Sequence, residues 1–292
     1  MDKILEHVTS GQIPVDYHDD DIIIVDNAKK LTTPDVARVD MNFLVVCSGG
    51  KAQFDLNGTA TMLEKNQLLM APTGTVLSNF MISPDFNFMV LMMTNRILMS
   101  FLREKMSIWN ELVYVYKEHV IVLNDNDIEY FSHFYTLLRM SYETHVDMPF
   151  RTEVIQSVLR CGLLGLCGRL KLLYGETPPE RGLLGHPLFQ RFVTQLSTRA
   201  VKHVPVEVFA RELCVSAKYL SAVCKRSSGK SASQWITEHV MEDIRYYLAE
   251  TDLTVKEVSN TLGFANASFF GKYVREHFGL TPLQLRSKMT NC

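Results

Sequence analysis

The sequence predicts an α+β chain of two domains: a β-rich N-terminal half with flanking helices and an all-α C-terminal domain. Three observations carry this. Residues 21–95 break into short β-branched and apolar runs separated by turn residues, the pattern of a sandwich or small barrel. Residues 206–286 instead place apolar residues three and four apart in short segments punctuated by glycine, the pattern of helices. Between the halves, Tyr174-Gly175-Glu176-Thr177-Pro178-Pro179-Glu180-Arg181-Gly182 concentrates prolines and glycines that interrupt helical sequence on both sides and read as a semi-rigid tether. At 292 residues each half can bury a core of its own. The expected division is 1–173, a linker over 174–185, and 186–292.

In the first half the candidate strands are 21–25, 42–47, 52–56, 60–63, 67–70 and 86–92. Ser48-Gly49-Gly50, Asn57-Gly58 and Pro72-Thr73-Gly74 punctuate them, and Asn57-Gly58 is the strongest hairpin signal because both residues tolerate positive φ. Two helices follow, Asp127–Tyr142 and Phe150–Tyr174. The second brings Val154, Val158, Cys161, Leu164 and Leu172 within helical reach of one another. Such a stripe needs a partner, either a second copy of the chain or the barrel itself, and dimerisation is the favoured reading. Gly162, Gly165 and Gly168 permit a close helix approach in either case, at the expense of helix propensity.

The second half contains two helix-turn-helix patterns. Val206–Leu213 and Ser216–Arg226 flank a Cys214-Val215 turn; Val255–Leu262 and Asn266–Arg275 flank a Gly263-Phe264 turn. In each pair one stripe packs inward, so the second helix is free to enter a DNA major groove. Thr254 and Glu257 have capping-box spacing, Gly263 stands where the chain must reverse, Asn266 suits an N-cap, and Thr281-Pro282 starts a last helix. Gln234–Leu248, with Ile236, Val240, Ile244 and Tyr247/Leu248 on one face, reads as a rigid helix joining the two units. Such a joint would present the recognition helices to successive groove segments roughly 34 Å apart on one DNA face, or bend the duplex if they sit closer.

This stretch resembles the AraC/XylS family of bacterial transcription regulators. The resemblance rests on Leu262-Gly263-Phe264, Ser268-Phe269-Phe270, Phe278-Gly279-Leu280-Thr281-Pro282 and Leu285-Arg286, joined by Ser216-Ala217-Lys218-Tyr219-Leu220-Ser221 and Gly229-Lys230-Ser231. It covers roughly the last hundred residues. The family more often has Ala at 259, Tyr at 285 and Arg at 240, where this chain has Ser259, Leu285 and Val240. The resemblance implies a cupin-like sensor or dimerisation half, promoter DNA as a partner, and a homodimer. It also implies a small-molecule effector that shifts domain arrangement, and RNA polymerase as a further partner of an activator. An effector-independent dimeric regulator is the alternative.

Charge is divided in the same way. Residues 186–292 carry 14 Lys/Arg against 9 Asp/Glu, and residues 1–185 carry 16 against 23. A basic module suits phosphates, although an excess of this size is not by itself diagnostic. The candidate DNA contacts are Lys218, Ser221, Ala222, Lys225 and Arg226 in the first unit and Ala267, Ser268, Gly271, Lys272 and Arg275 in the second. Ala267 and Gly271 enter through the resemblance. Small residues in the second helix suggest reading by phosphate contact and shape more than by hydrogen bonds to bases.

A cupin-type metal enzyme is the reading from another class. It needs clustered ligands such as His-x-His, yet residues 21–95 contain no histidine, and the nine in the chain, His7, His18, His119, His133, His145, His186, His203, His239 and His277, are scattered singly. No nucleophile elbow, phosphate loop or dinucleotide fingerprint is present. No cofactor, metal or catalytic residue is expected. Cys47, Cys161, Cys167, Cys214, Cys224 and Cys292 form no Cys-x-x-Cys pair and read mostly as small buried hydrophobes. With no 18-residue apolar run or leader, a cytoplasmic protein that avoids membranes is expected.

Overall fold

The computed structural model describes residues 8–9, 17–18, 21–25, 36–102, 105–116, 119–143, 149–174, 186–249 and 251–290. The predicted tether from 175 to 185, His7, His145 and Cys292 lie outside the described residues. Two compact units emerge: residues 1–113 with 117–177, and residues 178–292 with the segment Tyr114–Tyr116.

The first unit begins with ten strands and two helices in the order β1 (Val8–Thr9), β2 (Tyr17–His18), β3 (Ile22–Val25), β4 (Val36–Val39), β5 (Asn42–Gly49), β6 (Lys51–Leu56), β7 (Thr59–Glu64), β8 (Gln67–Ala71), β9 (Thr75–Ile82), β10 (Asn87–Met93), α1 (Asn95–Leu102) and α2 (Met106–Asn110). A π-helical turn over Glu111–Tyr116, strand β11 (Val120–Val122), and helices α3 (Asp125–Glu143) and α4 (Arg151–Tyr174) follow. The strands form two antiparallel sheets, ordered β1-β4-β9-β6-β7 and β11-β8-β5-β10-β3-β2. Their inner faces share one core that includes Phe43, Cys47, Phe54, Leu63, Leu69 and Met92.

The two sheets differ because one is covered twice. On the outer side of the six-stranded sheet, Leu44, Val46, Leu68 and Leu91 meet Phe131, Tyr135, Leu163 and Leu166 of α3 and α4. That is why β3, β8 and β10 read as nearly unbroken apolar runs. In the other sheet, β4 and β6 alternate exposed and buried residues. The Asn57-Gly58 hairpin forms as expected, with φ of 50° and 79° and Leu56 opposite Thr59.

Helix α3 starts two residues before the sequence boundary, since Asn124 and Asp127 cap each other reciprocally at 2.9 Å. Helix α4 starts at Arg151, because Phe150 has φ +60°. Its packed face is Ile155, Leu159, Leu163, Leu166 and Leu170, whereas Val154, Cys161, Leu164 and Leu172 of the predicted stripe are exposed, the last to 80%, so the barrel does not cover that stripe. Two of its glycines face α3. A Cβ at Gly162 would collide with the Phe134 ring and one at Gly165 with Tyr130, whereas Gly168 faces open space. Close helix approach therefore occurs within this unit.

The second unit is all helical: α5 (Pro187–Thr198), α6 (Val206–Glu212), α7 (Ala217–Ser228), α8 (Ala232–Ala249), α9 (Val255–Thr261), α10 (Ala267–Phe278) and α11 (Pro282–Thr290). Helix α8 begins two residues earlier than predicted and buries Ile236, Val240, Ile244 and Leu248.

Candidate nucleic-acid interface

Helices α6 and α7 form the first helix-turn-helix. The turn places Cys214 at φ +60°, and the amide of Val215 donates to the Ala210 carbonyl at 2.9 Å. Ser216 then caps α7, its hydroxyl accepting from the Tyr219 amide at 3.2 Å. Leu220, Val223 and Cys224 pack inward, and the helix stops at Gly229, φ +76°. The opposite face carries Lys218, Ala222, Lys225 and Arg226, all exposed, with Ser221 half-buried beside them.

Helices α9 and α10 repeat the geometry. Thr254 and Glu257 form the predicted capping box, and these bonds from Thr254 hold the Glu257 carboxyl below its ordinary pKa. Gly263 turns at φ +79°, and the Phe264 amide donates to Ser259 at 3.0 Å, matching the bond at Val215. Asn266 accepts from both the Ser268 and Phe269 amides at 3.0 Å. With Phe270 and Val274 buried, α10 exposes Ala267, Ser268, Lys272 and Arg275, and Gly271 faces open space. Phe269, 61% exposed, lies on the same helix and was not among the predicted contacts. In the sequence it enters only as part of the Ser268-Phe269-Phe270 motif; its place between Ser268 and buried Phe270 is the signal that sets it outward.

Each unit has its own scaffold. Phe192 of α5 meets Phe209 of α6 edge-on at 5.6 Å, and Arg199 pairs with Glu212 at 2.8 Å while lying over the Phe209 ring. The segment before α6 braces the second unit. Lys202 forms a buried ion pair with Asp243 of α8 at 2.8 Å, His203 stacks on Phe264 at 3.7 Å, and Val201 lies under Gly263. Burial lowers the pKa of His203, favouring the neutral ring in this stack. Arg286 of α11 donates to the carbonyls of Leu248 and Leu253, closing the end of α8.

The cations divide accordingly. Arg199, Lys202, Lys230 and Arg245 are committed to carboxylates inside the domain. Lys218, Lys225, Arg226, Lys272 and Arg275 have no ion-pair partner among the described residues and stand on the two exposed faces.

Comparison with known proteins agrees with this geometry. Residues 209–288 match the family described as the helix-turn-helix domain. The Msm operon regulatory protein of Streptococcus mutans is 29% identical over 86 residues, 30% of this chain and 31% of that one. The transcriptional regulator ArgR of Pseudomonas aeruginosa is 24% identical over 112 residues, 38% of this chain and 34% of its own length. Residues 209–288 are thus similar to the helix-turn-helix domains of AraC/XylS-type regulators. The chain spans about a third of the length of these AraC-type relatives. Among solved structures, the C-terminal domain of AraT from Geobacillus stearothermophilus is similar at 25% identity, covering 35% of this chain and 86% of that one with a TM-score of 0.33. ToxT of Vibrio cholerae bound to an unsaturated fatty acid is similar at 13% identity, 94% and 98% coverage and a TM-score of 0.37.

Among the described residues no group of three or more His, Cys, Asp and Glu is placed to hold a metal ion. Cys47, Cys167 and Cys224 are buried, and burial pushes the last two thiols up to about 11 and about 12; Cys161 and Cys214 are exposed. No described helix is long and apolar enough to cross a membrane.

Proposed function

We propose that the whole chain is a sequence-specific regulator of transcription in the cytoplasm, and that α7 and α10 read promoter DNA. The observation that carries this is the pair of N-capped helices whose outward cations are unpaired while the other cations named above are tied into the scaffold. Lys218, Lys225 and Arg226 supply phosphate or base contacts in the first helix, with Ser221 and Ala222 allowing close approach. In the second, Lys272 and Arg275 hold phosphates, and Ala267, Ser268 and Gly271 let the backbone approach the groove.

Selection from random-sequence DNA tests this directly. The full chain should enrich a motif of two boxes about one helical turn apart. Lys218→Ala and Lys272→Ala should each weaken binding and lower the slope of log affinity against log salt by about 1. Enrichment of no motif, or binding indifferent to both changes, contradicts the assignment.

The N-terminal unit supplies effector binding, dimerisation or both. An apolar pocket between its sheets, open at one rim, supports the first. The exposed apolar face of α4, with Val154, Leu164 and Leu172, supports a homodimer. An activator would in addition touch RNA polymerase. Leu164→Glu with Leu172→Glu should convert a dimer to a monomer in analytical ultracentrifugation; an unchanged mass removes this helix from the interface. If only dimerisation is at work, effector-free protein binds DNA as well as any liganded form.

A further inference from the structure

The pocket between the two sheets of the first unit has a volume of about 130 Å³, and among the described residues no polar atom reaches its wall. Phe43, Phe54, Phe88 and Met92 line it from both sheets. Such a space is a part of the core left unfilled, and unfilled core volume lowers stability. Its chemistry decides what can enter. A sugar, an amino acid or a carboxylate would surrender its hydration and find no partner, which is strongly unfavourable. Water gains little there for the same reason, since a held water needs two to four polar neighbours.

Size narrows the class further. A dry cavity of roughly 150 Å³ lined by Leu, Ile and Phe takes benzene or xenon. A pocket of about 130 Å³ therefore holds one six-membered ring or an alkyl fragment of similar bulk, and a long acyl chain would leave most of its length outside it. The phenyl rings offer faces and edges, and Met92 a polarisable thioether, to an aromatic guest. An entrance is also present: the wall continues through partly buried Phe80 and Phe86 to exposed Ile82.

We infer that the first unit binds a compact apolar molecule of the monocyclic aromatic class. This deepens the effector reading above and rests on it only for any consequence at DNA. The test uses the full chain with toluene as probe, and arabinose and palmitate for comparison. Toluene should raise the melting temperature saturably, whereas arabinose and palmitate should not. Ala52→Leu, which fills the cavity from a buried wall position, should abolish the toluene response. Should that variant fail to fold, Leu69→Ala enlarges the same space and should shift preference from toluene to naphthalene. No toluene response, a response that survives filling, an unchanged preference after enlargement, or stabilisation by arabinose or palmitate each overturns the inference. DNA selection run in parallel separates the two claims. A motif recovered without any toluene response sinks only the ligand class; a toluene response without a motif sinks only the regulator.

Discussion

The two helix-turn-helix units share a turn and differ in what holds it. In the second unit, most of the support is written into neighbouring residues: the Thr254–Glu257 capping box, glycine at the left-handed position and Asn266 with two amide bonds. In the first, α6 has no side-chain cap and Cys214 occupies the left-handed position. Beyond the Ser216 cap of α7, its support comes from afar, through Phe192 on Phe209 and Arg199 on Glu212. One fold is thus reached once by local preference and once by packing, so damage to distant residues should tell the two units apart.

The largest effects test that claim. Phe192→Ala and Phe270→Ala each empty a fully buried aromatic site, at a cost of about 3–5 kcal/mol. Hydrogen exchange by mass spectrometry should show Phe192→Ala releasing α6 and α7 first, and Phe270→Ala releasing α9 and α10. Equal loss in both units under either change would mean that the domain melts as one body and that the contrast has no energetic content.

Helix α8 belongs to both units, and there the expected effect is on pH. Burial lowers the pKa of His239 to about 4, with only Nδ1 hydrogen-bonded, to the Trp235 carbonyl. The folded state thus holds the neutral ring, whereas the unfolded chain protonates near 6.5. Stability from this group is complete above pH 6.5 and is lost as pH falls towards 4. Between pH 7 and pH 5 the loss is about 2 kcal/mol. Urea unfolding followed by pulsed exchange over residues 232–249 should show that decline, and His239→Leu should flatten it. A slope unchanged by the substitution would assign the decline to the carboxylates.

Exchanging the turn residues sharpens the comparison at smaller scale. Gly263→Ala puts a side chain at φ +79° and against Val201, so it should cost at least about 1–2 kcal/mol and loosen the segment that carries His203. Protection of α9 and α10 should fall while that of α7 holds.

The same contrast explains what was legible in the sequence. The second unit was readable almost to the residue because caps and glycines are local signals. Most outward residues of the recognition helices followed from period, Ala267 and Gly271 from the resemblance, and all ten candidates are exposed or half-buried. The sheets were less legible. Strand β9 escaped because Asn79, at φ +56°, interrupts its alternation opposite an irregular step between Gln53 and Asp55. Strands β4 and β11 are too short to show a period. Helix α4 misled because it is apolar on two faces, and only the position of α3 decides which one is covered. The segment 201–203 carried no signal: His203 gains meaning only when Phe264, far along the chain, stacks on it.

Two substitutions should stabilise the domain slightly, one in each unit. Ser259 is fully buried on α9 with no hydrogen-bond partner for its hydroxyl, and Ala fits the same space. Ser259→Ala should add about 1 kcal/mol. Cys214→Gly is the subtler change. Relief of the left-handed strain at φ +60° is worth about 1–2 kcal/mol, but glycine also enlarges the unfolded ensemble and returns about 0.4–1 kcal/mol of that gain. Cys214 is exposed, so little packing is lost. A net gain of roughly 0.5–1 kcal/mol is expected, smaller than the penalty for Gly263→Ala because no neighbour is displaced. If Cys214→Gly instead destabilises the chain, the first unit draws on the cysteine side chain itself, and the two turns are not equivalent sites with different residues.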